Sequence, residues 1–188
     1  MTDLFVHDAA RNDQLILVDG LDQPLGCATK ERAHREGLLH RAFSVVLVRQ
    51  TDEGPQLLLA QRAQGKYHSA GLWANSCCSH PRNGEATLAA AHRRTIEELG
   101  IEAEGLVEIG AFVYRASFED GLTEYEYDHV LLGTCTEEPC PNPFEVSAVR
   151  WASPTDLAQE LAAHPRRYAV WAFTVLSLAL AHLSQNPC

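Results

Sequence analysis

Between Trp73 and Ile101 the chain (WANSCCSHPRNGEATLAAAHRRTIEELGI) sets an adjacent cysteine pair, Cys77 and Cys78, beside His80, a polar turn and a glutamate-rich helix. A thiol near an imidazole offers a nucleophile or a proton-transfer group, and an imidazole followed by carboxylates offers ligands for a divalent ion. Other candidates are spaced by the elements that carry them. His34 and His40 bracket Gly37, where a helix-to-strand bend can turn both imidazoles toward one point. Glu124, Glu126 and Asp128 alternate with Tyr125, Tyr127 and His129, so the period of a strand puts the three acids on one face, which is expensive to bury. As neighbours on an extended segment, Cys77 and Cys78 must point opposite ways, with Cys77 expected in the core.

The elements that position these residues read as one folded unit over residues 15–185 behind a flexible tail, residues 1–14. LILVDG (Leu15–Gly20) reads as a strand whose turn continues through DQPLG. A short helix follows from an N-cap at Thr29 to Gly37, then an apolar β-branched strand that opens on His40 and pairs back through QLLLAQR. A short strand centred on Trp73–Cys77 leads into a helix over Glu85–Leu99, with Leu88, Ala91, Thr95 and Leu99 on one stripe and Gly100 as its C-cap. Strands at Leu106–Arg115 and Thr123–Cys135 form a second hairpin about the turn EDG. VSAVRWAS is a further strand, Ser153 and Pro154 open a helix, and Tyr168–Ser184 is the last helix. The sum is an α/β fold of the α+β type, mixed sheets flanked by helices in a single compact domain.

Composition bounds the chemistry. The chain has 188 residues and a formal net charge of -10. That charge argues against nucleic-acid binding, which needs a basic face to displace counterions. An anionic small substrate would need clustered cations or a metal ion between it and the protein. The N-terminal MTDLFVHDAARND lacks a secretory pattern, so a reducing, cytoplasmic setting is expected, with Cys27, Cys135, Cys140 and Cys188 as packed small residues. Tyr168–Ser184 contains His182 and falls short of the ~20 residues a bilayer requires, so no membrane partner is expected.

Two resemblances join these observations. Glu85, Arg93, Glu97, Glu98, Gly100 and Ile101 fall in register with the Nudix signature, while Ser79 stands for its first glycine, Arg94 for the glutamate after Arg93, and Thr95 at its aliphatic position. The fold is therefore expected to be Nudix-like, with a carboxylate of the hydrolytic metal site missing. More specifically, NSCCSHP (Asn75–Pro81) resembles the NS-x-C-x-HP segment of type I isopentenyl-diphosphate isomerases. Ala33–Val45, Leu57–Trp73, Tyr114 with Arg115, Thr123–Val130 and Trp171 resemble their counterparts in the same family.

That resemblance implies an enzyme of isoprene biosynthesis interconverting isopentenyl and dimethylallyl diphosphate. It implies one divalent ion held by His34, His40, His80, Glu124 and Glu126. Imidazoles suit Zn, and mixed nitrogen and oxygen octahedra suit Mn or Mg. It also implies Mg bound with the substrate diphosphate through Glu98 and the backbone carbonyl of Cys78. Lys30, Arg62 and Lys66 match the family's phosphate-binding cations, whereas Arg93 is placed either there or bracing the helix against Glu97. Glu126, assisted by Tyr114, matches the group that protonates the alkene, Cys78 as thiolate the group that deprotonates, and Trp171 the π face over the cation. The ion and His80 are expected to favour the thiolate, and the ion to lower Glu126 and Tyr114. The Gln64–Gly71 loop, which carries Lys66, is a candidate to close over substrate, and a monomer or weak homodimer is expected. His68, His92, His129, His164 and His182 carry no role in this reading. The alternatives are a Nudix hydrolase of a nucleoside diphosphate derivative, which Arg94 counts against, and a non-enzymatic protein with a structural metal.

Overall fold

A computed structural model describes residues 14–186. Residues 1–13 of the expected tail lie outside the described residues. Gln14 opens β1 and pairs with Thr29. The elements are β1 (Gln14–Val18), β2 (Pro24–Thr29), α1 (Lys30–Glu36), β3 (His40–Thr51), β4 (Gly54–Arg62), β5 (Trp73–Ala74), β6 (Cys77–Ser79), α2 (Thr87–Leu99), β7 (Glu104–Ser117), β8 (Thr123–Thr134), β9 (Val146–Ala152), α3 (Pro154–Ala163) and α4 (Ala172–Gln185).

β3 is the axis of the mixed sheet. Along one edge it runs parallel to β8, with His40 opposite Glu126 and Val48 opposite Thr134. Along the other edge it pairs antiparallel with β6 through Phe43–Val45 and with β4 through Val48–Thr51. β7 closes the hairpin with β8, and β9 lines β4. Because strand side chains alternate, β3 feeds two cores. Phe43, Val45 and Leu47 pack with Leu58, Leu131 and the Ala90, Ala91 and Leu99 face of α2. Val46 and Val48 pack with Leu57, Leu59, Val130 and the apolar faces of α3 and α4. Cys77 joins the first core and Cys78 borders the second, so the pair divides between the two faces as alternation requires.

Several local expectations change. PLGCAT forms a strand, β2, rather than a continued turn, and it tolerates Pro24 and Gly26 because β1 is its sheet partner and its other edge is open. The strand expected at Trp73–Cys77 divides into β5 and β6 around Asn75 and Ser76, whose side chains bond neighbouring backbone. Leu88 is 45% exposed; the buried face of α2 is instead Ala91, Thr95 and Leu99 together with Arg94 and Glu98. The last helix begins at Ala172, after a 3-10 turn at Pro165–Arg167. Among the described residues no helix is long and apolar enough to cross a membrane.

Candidate active site

The column of side chains on the β3 and β8 face that packs α4 turns from apolar to polar toward one end. Val46 and Val130 give way to Ser44 and Asp128, then to His40 and Glu126. Four elements meet there. Thr29 caps α1 by accepting from Arg32 N, and Gly37 ends the helix in the left-handed conformation, φ 62°. This turns the chain so that His34, in the last turn of α1, faces His40, the first residue of β3. A side chain at Gly37 would meet Arg115 Nη2 at 3.3 Å as well as straining the backbone. His80 follows β6, and Glu126 arrives by its register with His40.

The ring centroids of His34 and His40 are 5.1 Å apart and those of His40 and His80 also 5.1 Å. One ligand atom from each of His34, His40, His80 and Glu126 lies within 4.8 Å of the others. His40 Nδ1 lies 2.8 Å from the Leu38 carbonyl, which makes it the donor nitrogen and leaves the lone pair of Nε2 facing the group. His80 Nε2 is 2.9 Å from Glu126 Oε1. His34 is fully buried with neither ring nitrogen partnered, and His40 Nε2 is unpartnered too. Burial and the neighbouring His40 and His80 push His34 down to about 2, so it is a neutral imidazole with a free lone pair. Burial likewise lowers His80, against the pull of Glu126. Burial works to raise Glu126, but His40 and His80 win and hold it well below the usual carboxylate range.

Orphaned imidazole nitrogens aimed at a carboxylate are costly in a bare protein and are what a divalent ion requires. The phenol of Tyr114 adds to this. It lies 2.7 Å from Glu126 Oε2 and 2.8 Å from Glu124 Oε2, and with a single proton it can donate to only one of them at a time. A cation would cancel the surplus charge. The residues present therefore fit a divalent ion. Glu124 is not among the converging atoms: its other oxygen is 2.5 Å from His68 Nε2, a contact at ion-pair distance without hydrogen-bond alignment.

Cys78 sits at the next level of the column. Its thiol donates to Asn75 Oδ1 at 3.1 Å and accepts from Trp171 Nε1 at 3.1 Å, while Ser44 Oγ is 3.7 Å away. The same Asn75 donates to the carbonyls of Val45 and Cys77, and Ser76 accepts from Leu47 N and donates to the Leu58 carbonyl, which pins the β5–β6 turn to β3 and β4. Burial, reinforced by Asp128, pushes the Cys78 thiol up to about 12. Asp128 is itself raised by burial and by Glu126. Tyr114 is held well above its usual value by burial, Glu126 and Glu124. Burial thus favours the thiol at Cys78 and the imidazoles favour the carboxylate at Glu126, and the thiolate and lowered phenol expected from the sequence both call for added positive charge.

Lys30, Arg62, Lys66, Arg82, Arg93 and Arg94 line the cavity in front of Cys78, Tyr114, Glu126 and Trp171. Lys30 lies over the Tyr67 ring at 4.8 Å and Arg62 over Trp171 at 5.0 Å. Lys66 is ion-paired with Glu145. Arg93 belongs first to Glu85, at 2.7 Å, and only then to Glu97, at 3.5 Å. Arg94 is buried against Glu98, Glu97 and Glu145, which hold its charge despite burial. Glu98, expected on Mg, is therefore engaged by Arg94 in this state. Arg94, Glu145, Asn75, Ser44 and His68 are site residues that the sequence reading left without a role. Asn75 was within reach, since it opens the NSCCSHP motif, but the others depend on contacts between distant elements.

A family profile for the NUDIX domain matches residues 38–172. A Photobacterium profundum protein named isopentenyl-diphosphate delta-isomerase is 48% identical over 176 residues, covering 93% of this chain and 98% of its own. A Serratia proteamaculans protein of the same name is 45% identical over 165 residues, covering 88% of this chain and 90% of its own. Among solved structures, a MutT NUDIX hydrolase from Burkholderia pseudomallei superposes with a TM-score of 0.59 at 22% identity over 74% of this chain and 97% of that one, a likeness of fold alone. With its Nudix fold and relatives matched over nearly its whole length, the chain belongs to the isopentenyl-diphosphate delta-isomerase family.

Proposed function

We infer that the protein interconverts isopentenyl diphosphate and dimethylallyl diphosphate in the cytoplasm, as a monomer or weak homodimer, through its folded domain at residues 15–185. The observation that carries this reading is the placing of Cys78 and the Tyr114–Glu126 pair around one cavity beside Trp171 and a bank of cations. Moving a double bond needs a proton added at one carbon and another removed two carbons away, and such a two-sided arrangement supplies both.

Lys30, Arg62 and Lys66 would bind the diphosphate. Mg carried in with it would meet Glu98 and the Cys78 carbonyl, and for that Arg94 would exchange Glu98 for phosphate oxygens. A divalent ion, Mn, Zn or Mg, would be held by His34, His40, His80 and Glu126, with Glu124 as fifth ligand through one oxygen while the other stays against His68. Such an ion supplies positive charge that stabilises the Glu126 carboxylate and acidifies neighbouring groups. Glu126 with Tyr114 delivers a proton to the terminal alkene carbon of isopentenyl diphosphate. Cys78 then accepts the proton lost from the carbon nearer the diphosphate. The Trp171 indole shields the tertiary cation formed between these steps, and its face offers π density.

After one turnover in that direction the proton inventory is a thiol at Cys78 and a carboxylate at Glu126. Resetting requires sulfur to release a proton and the Tyr114–Glu126 pair to regain one, by exchange with water. Turnover in heavy water must therefore label the substrate pool. Deuterium uptake into isopentenyl diphosphate without phosphate release is the expected result; phosphate release without deuterium uptake would establish a Nudix hydrolase instead.

A further inference from the structure

His68 is buried, 6% exposed, on a loop that otherwise faces solvent or the cavity mouth. Its ring stacks on Phe118 at 4.5 Å with 14° between planes, and meets the edges of Tyr67 at 4.4 Å and Trp171 at 5.7 Å. Its Nε2 lies against Glu124 Oε1, and its backbone carbonyl accepts from Arg62 Nη2 at 3.2 Å. One residue thus touches a cation of the anion pocket, the indole beside the thiol, and a buried carboxylate next to the converging ligand group. The loop adopts uncommon backbone to achieve this: Ser69, directly after His68, lies in the left-handed region at φ 51°, and Gly71 follows at φ 73°. Plain core packing would not need a polar ring aimed at a buried carboxylate.

We propose that His68 is a positioning residue, a latch that holds the 64–71 loop, and Lys66 with it, against Glu124 and so presets the diphosphate pocket of the isomerase. The proposal rests on the isomerase reading for its kinetic arm only. Its polar half is the link to Glu124, and its apolar half is the stack on Phe118. Substitutions separate the two. His68→Gln keeps a donor toward Glu124, and His68→Phe keeps the ring without the donor.

The experiment measures kcat and KM for isopentenyl diphosphate with the metal-loaded protein, and separately the rate of tryptic cleavage after Lys66 without substrate. For His68→Phe the expected result is a KM raised about tenfold, the scale of leaving one buried polar partner unsatisfied, with kcat within about threefold of wild type. Cleavage after Lys66 should quicken by a similar factor, and His68→Gln should stay near wild type in both assays. A His68→Phe protein with unchanged KM and unchanged cleavage would overturn the proposal, as would a fall in kcat at steady KM, which would put His68 in the chemistry. Should the wild type fail to isomerise the substrate, the functional reading falls and cleavage alone decides the latch. If His68→Phe does not fold, Phe118→Ala tests the same contact from the other side: faster cleavage supports the latch, and an unchanged rate refutes it.

Discussion

Replacing Arg94 by leucine removes the charge at the centre of the buried network on α2 while keeping helix propensity and most of the apolar stem. The side chain is 9% exposed and bonds Glu98, itself 8% exposed, along with Glu97 at 2.8 Å and Glu145 at 3.3 Å. Breaking a buried ion pair by deleting one partner costs about 3–5 kcal/mol, because the remaining carboxylate is stranded. Glu145 keeps Lys66, and Glu97 is 30% exposed and can turn to water, so the cost falls mainly on Glu98 and the lower end of that range applies. About 3 kcal/mol, at roughly 2–4 °C per kcal/mol for a chain of this size, corresponds to a Tm lower by about 6–12 °C. The double variant Arg94→Leu/Glu98→Leu should recover most of the loss, since removing both partners strands nothing. Thermal and urea melts of the two single variants and the double variant measure the coupling directly. A loss below about 1 kcal/mol for Arg94→Leu, or a double variant as destabilised as the sum of the singles, would refute the assignment of the network as a buried, mutually dependent set.

The remaining predictions concern the site. Cys78→Ala should lower kcat by at least about a hundredfold, as expected for loss of a proton-transfer group, while Cys77→Ala keeps kcat and costs only stability; equal losses in a turnover assay would undo the division of the pair. His34→Leu should weaken manganese binding, followed by titration calorimetry, yet stabilise the metal-free protein by about 1 kcal/mol, because it removes buried ring nitrogens that have no partner. A destabilised metal-free variant would contradict that account. Glu145, held at about 2 by Lys66 and Arg94 against burial and starting from 4.5, contributes stability that is present above pH 4.5 and lost as the pH falls toward 2. The stability advantage of wild type over Glu145→Gln should shrink across that window in acid melts.

Much of the site was legible because its residues lie at positions that local rules determine. Gly37 as a left-handed cap, the alternation of Cys77 and Cys78, and the acid face of β8 follow from backbone period and capping, and the structure has all three. What escaped depends on tertiary partners. Arg94 reads as a helix surface cation until Glu145, from the distant loop before β9, covers it. His68 reads as a loop polar residue until Phe118 and Glu124 enclose it. Leu88 fits the helical stripe but faces out, because the stripe is rotated by the buried Arg94–Glu98 pair.

The parallel pairing of β3 with β8 has a further consequence, for folding. His40 and Glu126 come together only when these two strands, distant in sequence and separated by several other elements, lie in register. An unfolded chain has no such site, so an ion held there acts as a ligand of the native state alone. At a free concentration a hundred times its Kd it would add about 2.7 kcal/mol to the folding free energy. The metal would then select the correct strand register during folding as well as the correct protonation state in the finished enzyme, since a slip of one residue would turn the Glu126 carboxylate to the opposite face.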